Sequence, residues 1–409
     1  MLPAERQISR PEFIALIAGL MALNALAIDV MLPALPAMGE ALNVLHENER
    51  QYVLTSYLIG FGIAQLFFGP ISDRFGRRPP LMIGLVIYIV AAALAVIAPN
   101  FFTLLVLRFI QGIGAAATRV VGQSAVRDRF EGRGMAEVMS LIFMVFMAIP
   151  VVAPSIGQLL LFSGHWEWIF LFMAALATAM AVWAYLRLGE SLTDANRRPL
   201  HPRVIAEGFA MVFSHRSALL YGISSIFVMG ALFGFIGTAQ QIYVDIYGLG
   251  AWFPIAFAGV AGLMAVSSFL NSRIVGRFGM RRVTHTALFA FTLLSGVWLF
   301  LAMNDMLPFT AFMIVFAATM FCFGMVGSNT QALAMEPLGA VAGTAASVFG
   351  FMQTAGGAAI GAWIGMQYDG TIVPTAAGFF LLAIVSIGCV LIAERGRLFG
   401  VGAQYQKKG

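Results

Sequence analysis

The sequence predicts an all-α membrane protein with twelve transmembrane helices in two six-helix bundles and both termini cytoplasmic. Three observations carry that prediction. The chain of 409 residues is 60% hydrophobic and only 11% charged, with a mean hydropathy of +0.88, whereas soluble domains are about 25% charged. Apolar runs of about 20 residues, enough helix to cross a hydrocarbon layer ~30 Å thick, repeat along nearly the whole chain. The basic residues also segregate. The tails and inner loops, with the span ends beside them, hold 21 of 24, the outer side holds only Arg50, and Arg108 and Arg119 lie within a span. An odd number of spans would mix these sets. The net charge of +5 therefore reports topology and contact with anionic lipid headgroups, and it gives nucleic-acid binding no support.

Gly, Pro and charged residues punctuate the runs into spans at 12–38, 49–71, 79–98, 101–125, 136–162, 168–188, 216–240, 252–275, 283–303, 309–335, 342–365 and 374–394. Span 1 is too long for a signal-peptide core and lacks a small-residue cleavage site. Within it, ALAIDVMLPALP carries Asp29, the one charge between Phe13 and Met38. A carboxylate at bilayer depth costs ~2.5–3.5 kcal/mol on insertion scales, so a functional role is expected of it. Spans 2 and 3 flank the loop GPISDRFGRRPPL, residues 69–81. Span 4 contains LLVLRFIQGIGAA, with Arg108 and, eleven residues on and so on nearly the same helical face, Arg119. In span 5, IPVVAPSIGQ places Pro150, Pro154 and Gly157 where a bend or hinge is expected.

After span 6 the longest polar stretch, residues 189–215 with ESLTDANRRPLHPR, bisects the chain. It predicts an N-terminal bundle at 1–190, a cytoplasmic linker at 191–215 and a C-terminal bundle at 216–409. Span 7 holds FVMGALFGFIGTAQQIYVDIYG, and spans 8 and 9 flank GRFGMRR. That segment echoes DRFGRR at an offset of 203 residues, with Gly276 standing where the first copy has Asp73. Span 10 contains MVGSNTQALAME, span 11 opens near residues 339–346 without an acid, and span 12 closes the set. Repetition of this kind predicts duplicated halves around a central cavity. Cys322 and Cys389 fall inside apolar runs, and His46, His165, His201, His215 and His285 lie at loops or span ends with no ligand spacing. Neither an enzyme nor a metal site is expected.

The Asp73 loop fits the G-x-x-x-D-R-x-G-R-R signature of the major facilitator superfamily at nearly every position, and LLVLRFIQGIGAA fits its L-x-x-x-R-x-x-Q-G-x-G-A-A element. The chain thus resembles that superfamily. IPVVAPSIGQ is similar to its proline-glycine antiporter element, with Ala153 and Gln158 where glycines are usual. Spans 1, 7 and 10 resemble the bicyclomycin and chloramphenicol resistance branch of the twelve-helix drug/proton antiporters, over essentially the whole chain. The resemblance implies a multi-pass protein of the bacterial inner membrane, and a monomer is expected. It would export small drugs by alternating access, driven by inward proton flow, with no cofactor beyond the proton gradient. Asp29 matches the branch's first-helix carboxylate. The Asp73 loop, with Arg74, Gly76, Arg77, Arg78 and Arg127, would gate the cycle, Asp73 latching onto the N-terminal end of span 11.

Burial raises a carboxyl pKa and a guanidinium lowers it, so Asp29 with Arg108 forms the expected proton-coupling pair. The alternative for Arg108 is a structural arginine bonded to helix carbonyls. Arg119 either faces the cavity or snorkels to the interface. Candidate cargo contacts are Asn24, Met31, Tyr57, Gln111, Arg119, Phe227, Met229, Phe233, Gln240, Asn329 and Gln353, with Gln65, Gln123 and Gln331 also at membrane depth. Two guanidiniums against one carboxylate favour neutral, zwitterionic or anionic cargo over lipophilic cations. An exporter of a sugar, amino acid or metal chelator, or an uncoupled facilitator, would share every motif.

Overall fold

The computed structural model describes residues 8–130, 132–193, 197 and 202–399. Parts of the expected linker, 194–196 and 198–201, lie outside these residues. The described chain is helical: α1 (Arg10–Asp29), α2 (Leu35–Ala41), α3 (Tyr52–Phe75), α4 (Arg78–Ala95), α5 (Phe101–Arg129), α6 (Gly132–Leu161), α7 (Glu167–Arg187), α8 (Pro202–Ser214), α9 (Arg216–Gln240), α10 (Phe253–Phe278), α11 (Met280–Met303), α12 (Phe309–Met335), α13 (Ala342–Phe351), α14 (Gly357–Met366) and α15 (Val373–Ala393). Among the described residues ten helical segments are long and apolar enough to cross a membrane, and the Ala148–Leu161 part of α6 is a shorter apolar stretch. Large apolar side chains such as Phe102, Phe162, Leu293 and Phe300 stand exposed on the helix surfaces, as lipid-facing groups do.

Local chemistry sets the helix ends. Ser9 and Asn100 accept the amide hydrogens of Glu12 and Thr103 at the starts of α1 and α5, each replacing a bond the helix cannot make for itself. Gly76 and Gly279 stop α3 and α10 at φ +92° and +83°, a left-handed conformation that glycine adopts without Cβ strain. These two glycines occupy the same place in DRFGRR and GRFGMRR, so the sequence echo is also a structural one.

The chain divides into two compact units, Met1–Ile205 and Ala206–Gly409. Their internal packing follows one plan. In the first, α5 packs on α3 and α4, α1 on α6, and α4 on α7; in the second, α12 packs on α10 and α11, α9 on α14, and α11 on α15. Small residues let the backbones approach. A Cβ on Gly60 would collide with the Phe109 carbonyl, one on Gly112 with the Tyr57 carbonyl, and one on Gly361 would stand 2.7 Å from the Gly234 nitrogen. Lipid supplies no hydrophobic drive between helices, so this close van der Waals fit takes its place.

Four features add detail to the expected spans and linker. Span 1 is not one helix: α1 stops at Asp29, a 3-10 turn covers Leu32–Ala34, and α2 follows. Span 11 is interrupted by a π-helical turn at Met352–Gly356, and another π-helical turn at Gln241–Ile246 prolongs span 7. The expected linker contains α8, whose Val212 is buried and whose Gly208 packs against Thr344; Val212 and Gly208 lie one helical turn apart on one face. Finally, α6 runs through Pro150 and Pro154 as one helix, while the changes of helix type fall in spans 1, 7 and 11.

Candidate functional site

Asp29 owes its position to a proline. Pro33 has no amide hydrogen for the carbonyl of the residue four before it, and its ring would clash there. That residue is Asp29, and α1 ends on it. The side chain is buried, 5% exposed, and it makes no hydrogen bond or ion pair with any described residue. The sequence signal for this break is the LPALP run beginning three residues after Asp29.

Arg108 braces the break. Fully buried, it donates from Nη2 to the Ala27 carbonyl at 2.9 Å, from Nε to the Val53 carbonyl at 3.1 Å and from Nη1 to Gln111 Oε1 at 2.7 Å. The Ala27 carbonyl is one that the interrupted helix leaves without its ordinary amide partner, so the guanidinium serves as a cap supplied by α5. Its plane lies over the Tyr57 ring, 4.4 Å from the centroid, and the Tyr57 hydroxyl donates to Asn24 Oδ1 at 2.9 Å. The expected Asp29–Arg108 pair is therefore corrected. Arg108 holds the backbone two residues before Asp29 and leaves the carboxylate free. Tyr57 and Gln111, expected on a pocket wall, are wholly buried and committed to Arg108, and Met31 is wholly buried in the turn.

Glycine closes the other side. A Cβ on Gly157 of α6 would run into the Val30 carbonyl and reach within 3.0 Å of Pro33 Cγ. The antiporter-like element thus abuts the backbone beside Asp29, with Pro154 also buried and Pro150 half-buried. Gly157→Val is expected to push α6 off this turn and lower stability by about 1–3 kcal/mol, the usual cost of overpacking. A thermal melt followed by size-exclusion chromatography measures it, with Gly157→Ala as the milder step.

Arg119 is half-buried, its guanidinium 5.9 Å from the Phe61 ring, which itself stacks with Tyr57. It has no hydrogen bond or ion pair with a described residue, so it is a cation with its donors uncommitted.

The Asp73 loop forms a second constellation. Arg77 is 3% exposed and donates to Asp73 at 2.5 Å, to Ser72 at 2.9 Å and to Asp128 at 2.7 Å from Nε. Burial opposes its charge, and the bonds to Asp128 and Asp73 outweigh that, so its pKa stands raised above the ordinary guanidinium value. Glu190 accepts the amide hydrogens of Arg77 and Arg78 at 2.8 and 3.1 Å, capping α4 from across the unit. Arg78 lies over Tyr185 and donates to its carbonyl, while Gly76 leaves room for the Glu190 carboxylate. Arg127 is corrected: it is exposed, and its neighbour Asp128 completes the network. A basic loop needs acids, and besides its own Asp73 the ones used come from 51 and 113 residues away. Arg74 stands exposed beside the network.

In the second unit, Asn329 and Asn271 exchange two amide bonds at 2.8 and 3.1 Å, joining α12 to α10, so Asn329 serves as an interhelical tie. Met229 and Phe233 pack against Gly357, and Phe233 also against Gly361, placing them in the α9–α14 seam. Phe227 and Gln240 are half-buried, and Gln240 reaches Asp245 at 3.5 Å. Gln353 is buried in the π-helical turn of span 11.

The family profile of the Major Facilitator Superfamily matches residues 17–362. The chain belongs to that superfamily. Among curated relatives of this major facilitator chain, a bicyclomycin resistance protein homolog of Haemophilus influenzae is 31% identical over 380 residues, covering 92% of this chain and 94% of the relative. A multidrug resistance protein MdtL of Escherichia coli is 28% identical over 347 residues, covering 82% and 86%. Solved structures agree in fold. A D-xylose–proton symporter superposes with a TM-score of 0.72 at 16% identity, covering 94% of this chain and 98% of that one. A bacterial homologue of the lysosomal transporter Spinster, inward-facing and unoccupied, gives 0.67 at 15% identity, covering 95% and 96%. The protein is a membrane transporter of this superfamily and not an enzyme.

Proposed function

We propose that this transporter is a proton-coupled exporter of small drugs of the bicyclomycin or phenicol type, working by alternating access in the bacterial inner membrane. In this reading twelve helices span the bilayer and both ends face the cytoplasm, as the distribution of basic residues favours. The observation that carries it is the Asp29 carboxylate, buried and unpartnered at a helix break. An ionised acid in such a place has nothing to stabilise it, and a neutral one is tolerated. Protonation from one side and release to the other therefore couples to exposure of the break. The names of the relatives, bicyclomycin resistance and multidrug resistance, support the cargo class.

One proton is enough. A potential of 100 mV is worth ~2.3 kcal/mol per charge and one pH unit ~1.4, together ~3.7 kcal/mol, or a roughly 500-fold gradient of a neutral drug. The uncommitted Arg119 guanidinium adds a charge preference for neutral, zwitterionic or anionic cargo. Reconstituted protein under an imposed pH gradient is expected to move a phenicol faster than a lipophilic cationic dye, and Arg119→Ala is expected to narrow that ratio by about tenfold, the effect of losing one ~1.4 kcal/mol discrimination. Preference for the dye by the unaltered protein overturns the cargo assignment. An uncoupled facilitator instead predicts flux that ignores the pH gradient.

A further inference from the structure

Outside the transport machinery the second unit holds a chain of hydrogen bonds whose proton positions are dictated by its ends. The Glu394 carboxylate at the end of α15 accepts from Arg281 Nε at 2.9 Å and from the Tyr221 hydroxyl at 2.8 Å. With its hydrogen committed to Glu394, the Tyr221 oxygen is left to accept from His285 Nε2 at 3.0 Å. His285 is 1% exposed near the start of α11. Its other nitrogen, Nδ1, accepts the backbone amide hydrogen of Phe399 at 3.0 Å. Only the neutral ring with its proton on Nε2 satisfies both contacts.

Phe399 lies beyond the last helix and is held at three further points. Its carbonyl accepts from Arg282 Nε at 3.2 Å, and its ring meets His285 edge-on at 5.7 Å and stacks on Phe289 at 6.1 Å. Its φ of +63° is one that a non-glycine residue rarely adopts, so the contacts hold it against its intrinsic preference.

We propose that His285 is a proton-sensitive latch that docks the C-terminal segment at Phe399 onto α11 and releases it when the imidazole is protonated. A second ring proton would set Nδ1–H against the Phe399 N–H, turning a bond into a clash of two donors. The charged groups around the ring are Glu394 from α15, Glu336 from the end of α12, Arg281 and Arg282 on α11, and the Tyr221 hydroxyl from α9. Arg281 bridges Glu336 and Glu394 at 2.7 and 2.9 Å, so both acids are already neutralised by a guanidinium, and the imidazole is the group left to take up a proton. On the orientation proposed above, the latch reads cytoplasmic acidity. The docking itself does not depend on transport or on Asp29.

Amide hydrogen exchange on purified protein in detergent, where both faces meet the same buffer, tests the latch. After correction for intrinsic exchange rates, protection at Phe399 is expected to fall by about tenfold between about pH 7.5 and about pH 5.5 as one hydrogen bond is lost. In His285→Gln, which leaves Glu394, Glu336, Tyr221 and Arg281 in place, protection is expected to be independent of pH over that interval. Equal protection of the unaltered protein at both pH values overturns the proposal, as does the same pH-dependent loss in His285→Gln.

Discussion

Asp29→Asn is expected to abolish drug accumulation driven by a pH gradient in proteoliposomes while leaving energy-independent counterflow of the same drug. The amide has nearly the size and the neutral charge of the protonated acid, so binding and the conformational cycle survive, and the titratable step disappears. The accumulation ratio should collapse from the several-hundred-fold thermodynamic ceiling to about one. Counterflow should lose its pH dependence. The substituted protein should also be at least as heat-stable as the original, because a carboxylate without a hydrogen-bond partner costs more to bury than an amide. An Asp29→Asn protein that still concentrates drug against a pH gradient removes the coupling mechanism. A sharp fall in stability would instead show that the carboxylate has a structural partner.

Arg77→Met should have the largest effect on stability. The side chain is 3% exposed and neutralises Asp128, at 12% exposure, and Asp73, at 35%. Removing the cation strands both carboxylates, and breaking a buried pair from one side costs ~3–5 kcal/mol. Water can reach Asp73, so the low end is expected, about 3 kcal/mol. For a unit of about 200 residues that corresponds to a melting temperature lowered by roughly 6–12 °C. Arg77→Lys should recover only part of this, because an ammonium cannot reproduce the guanidinium fork that serves Ser72, Asp73 and Asp128 together. Double substitution with Asp128→Asn should cost less than the sum of the two single changes, the signature of a direct pair.

The two units build this corner with different residues. In the first, Asp73 and Asp128 share Arg77, and Glu190 caps α4. In the second, where Gly276 replaces Asp73, Arg281 takes Glu336 and Glu394. The sequence echo of DRFGRR and GRFGMRR located both corners, and the missing acid marked the asymmetry. Neither copy revealed its distant carboxylates, because an acid near a span end looks the same whether it meets water or a buried guanidinium.

Asp29 itself was legible, since a lone carboxylate in an apolar run has a cost that physics requires something to offset. The bonds that Arg108 makes were not. The acceptors Arg108 uses are the carbonyls of Ala27 and Val53, which every residue possesses, so no side-chain pattern announces them. The wall groups divided for a similar reason: a buried amide such as Asn329 can face cargo or another amide, and only the presence of Asn271 across the seam shows which.

The helical class, the apolar runs and the echo between the two halves were determined by the sequence alone, because hydrocarbon forces each crossing to satisfy its own backbone and to be apolar along its own length. Such constraints are local and are written residue by residue. The tertiary structure alone decided which donor serves the carbonyl freed at the end of α1, and which acids close the Arg77 and Arg281 corners. Those outcomes depend on groups brought together from distant parts of the chain, where a bond exists only once the helices have packed.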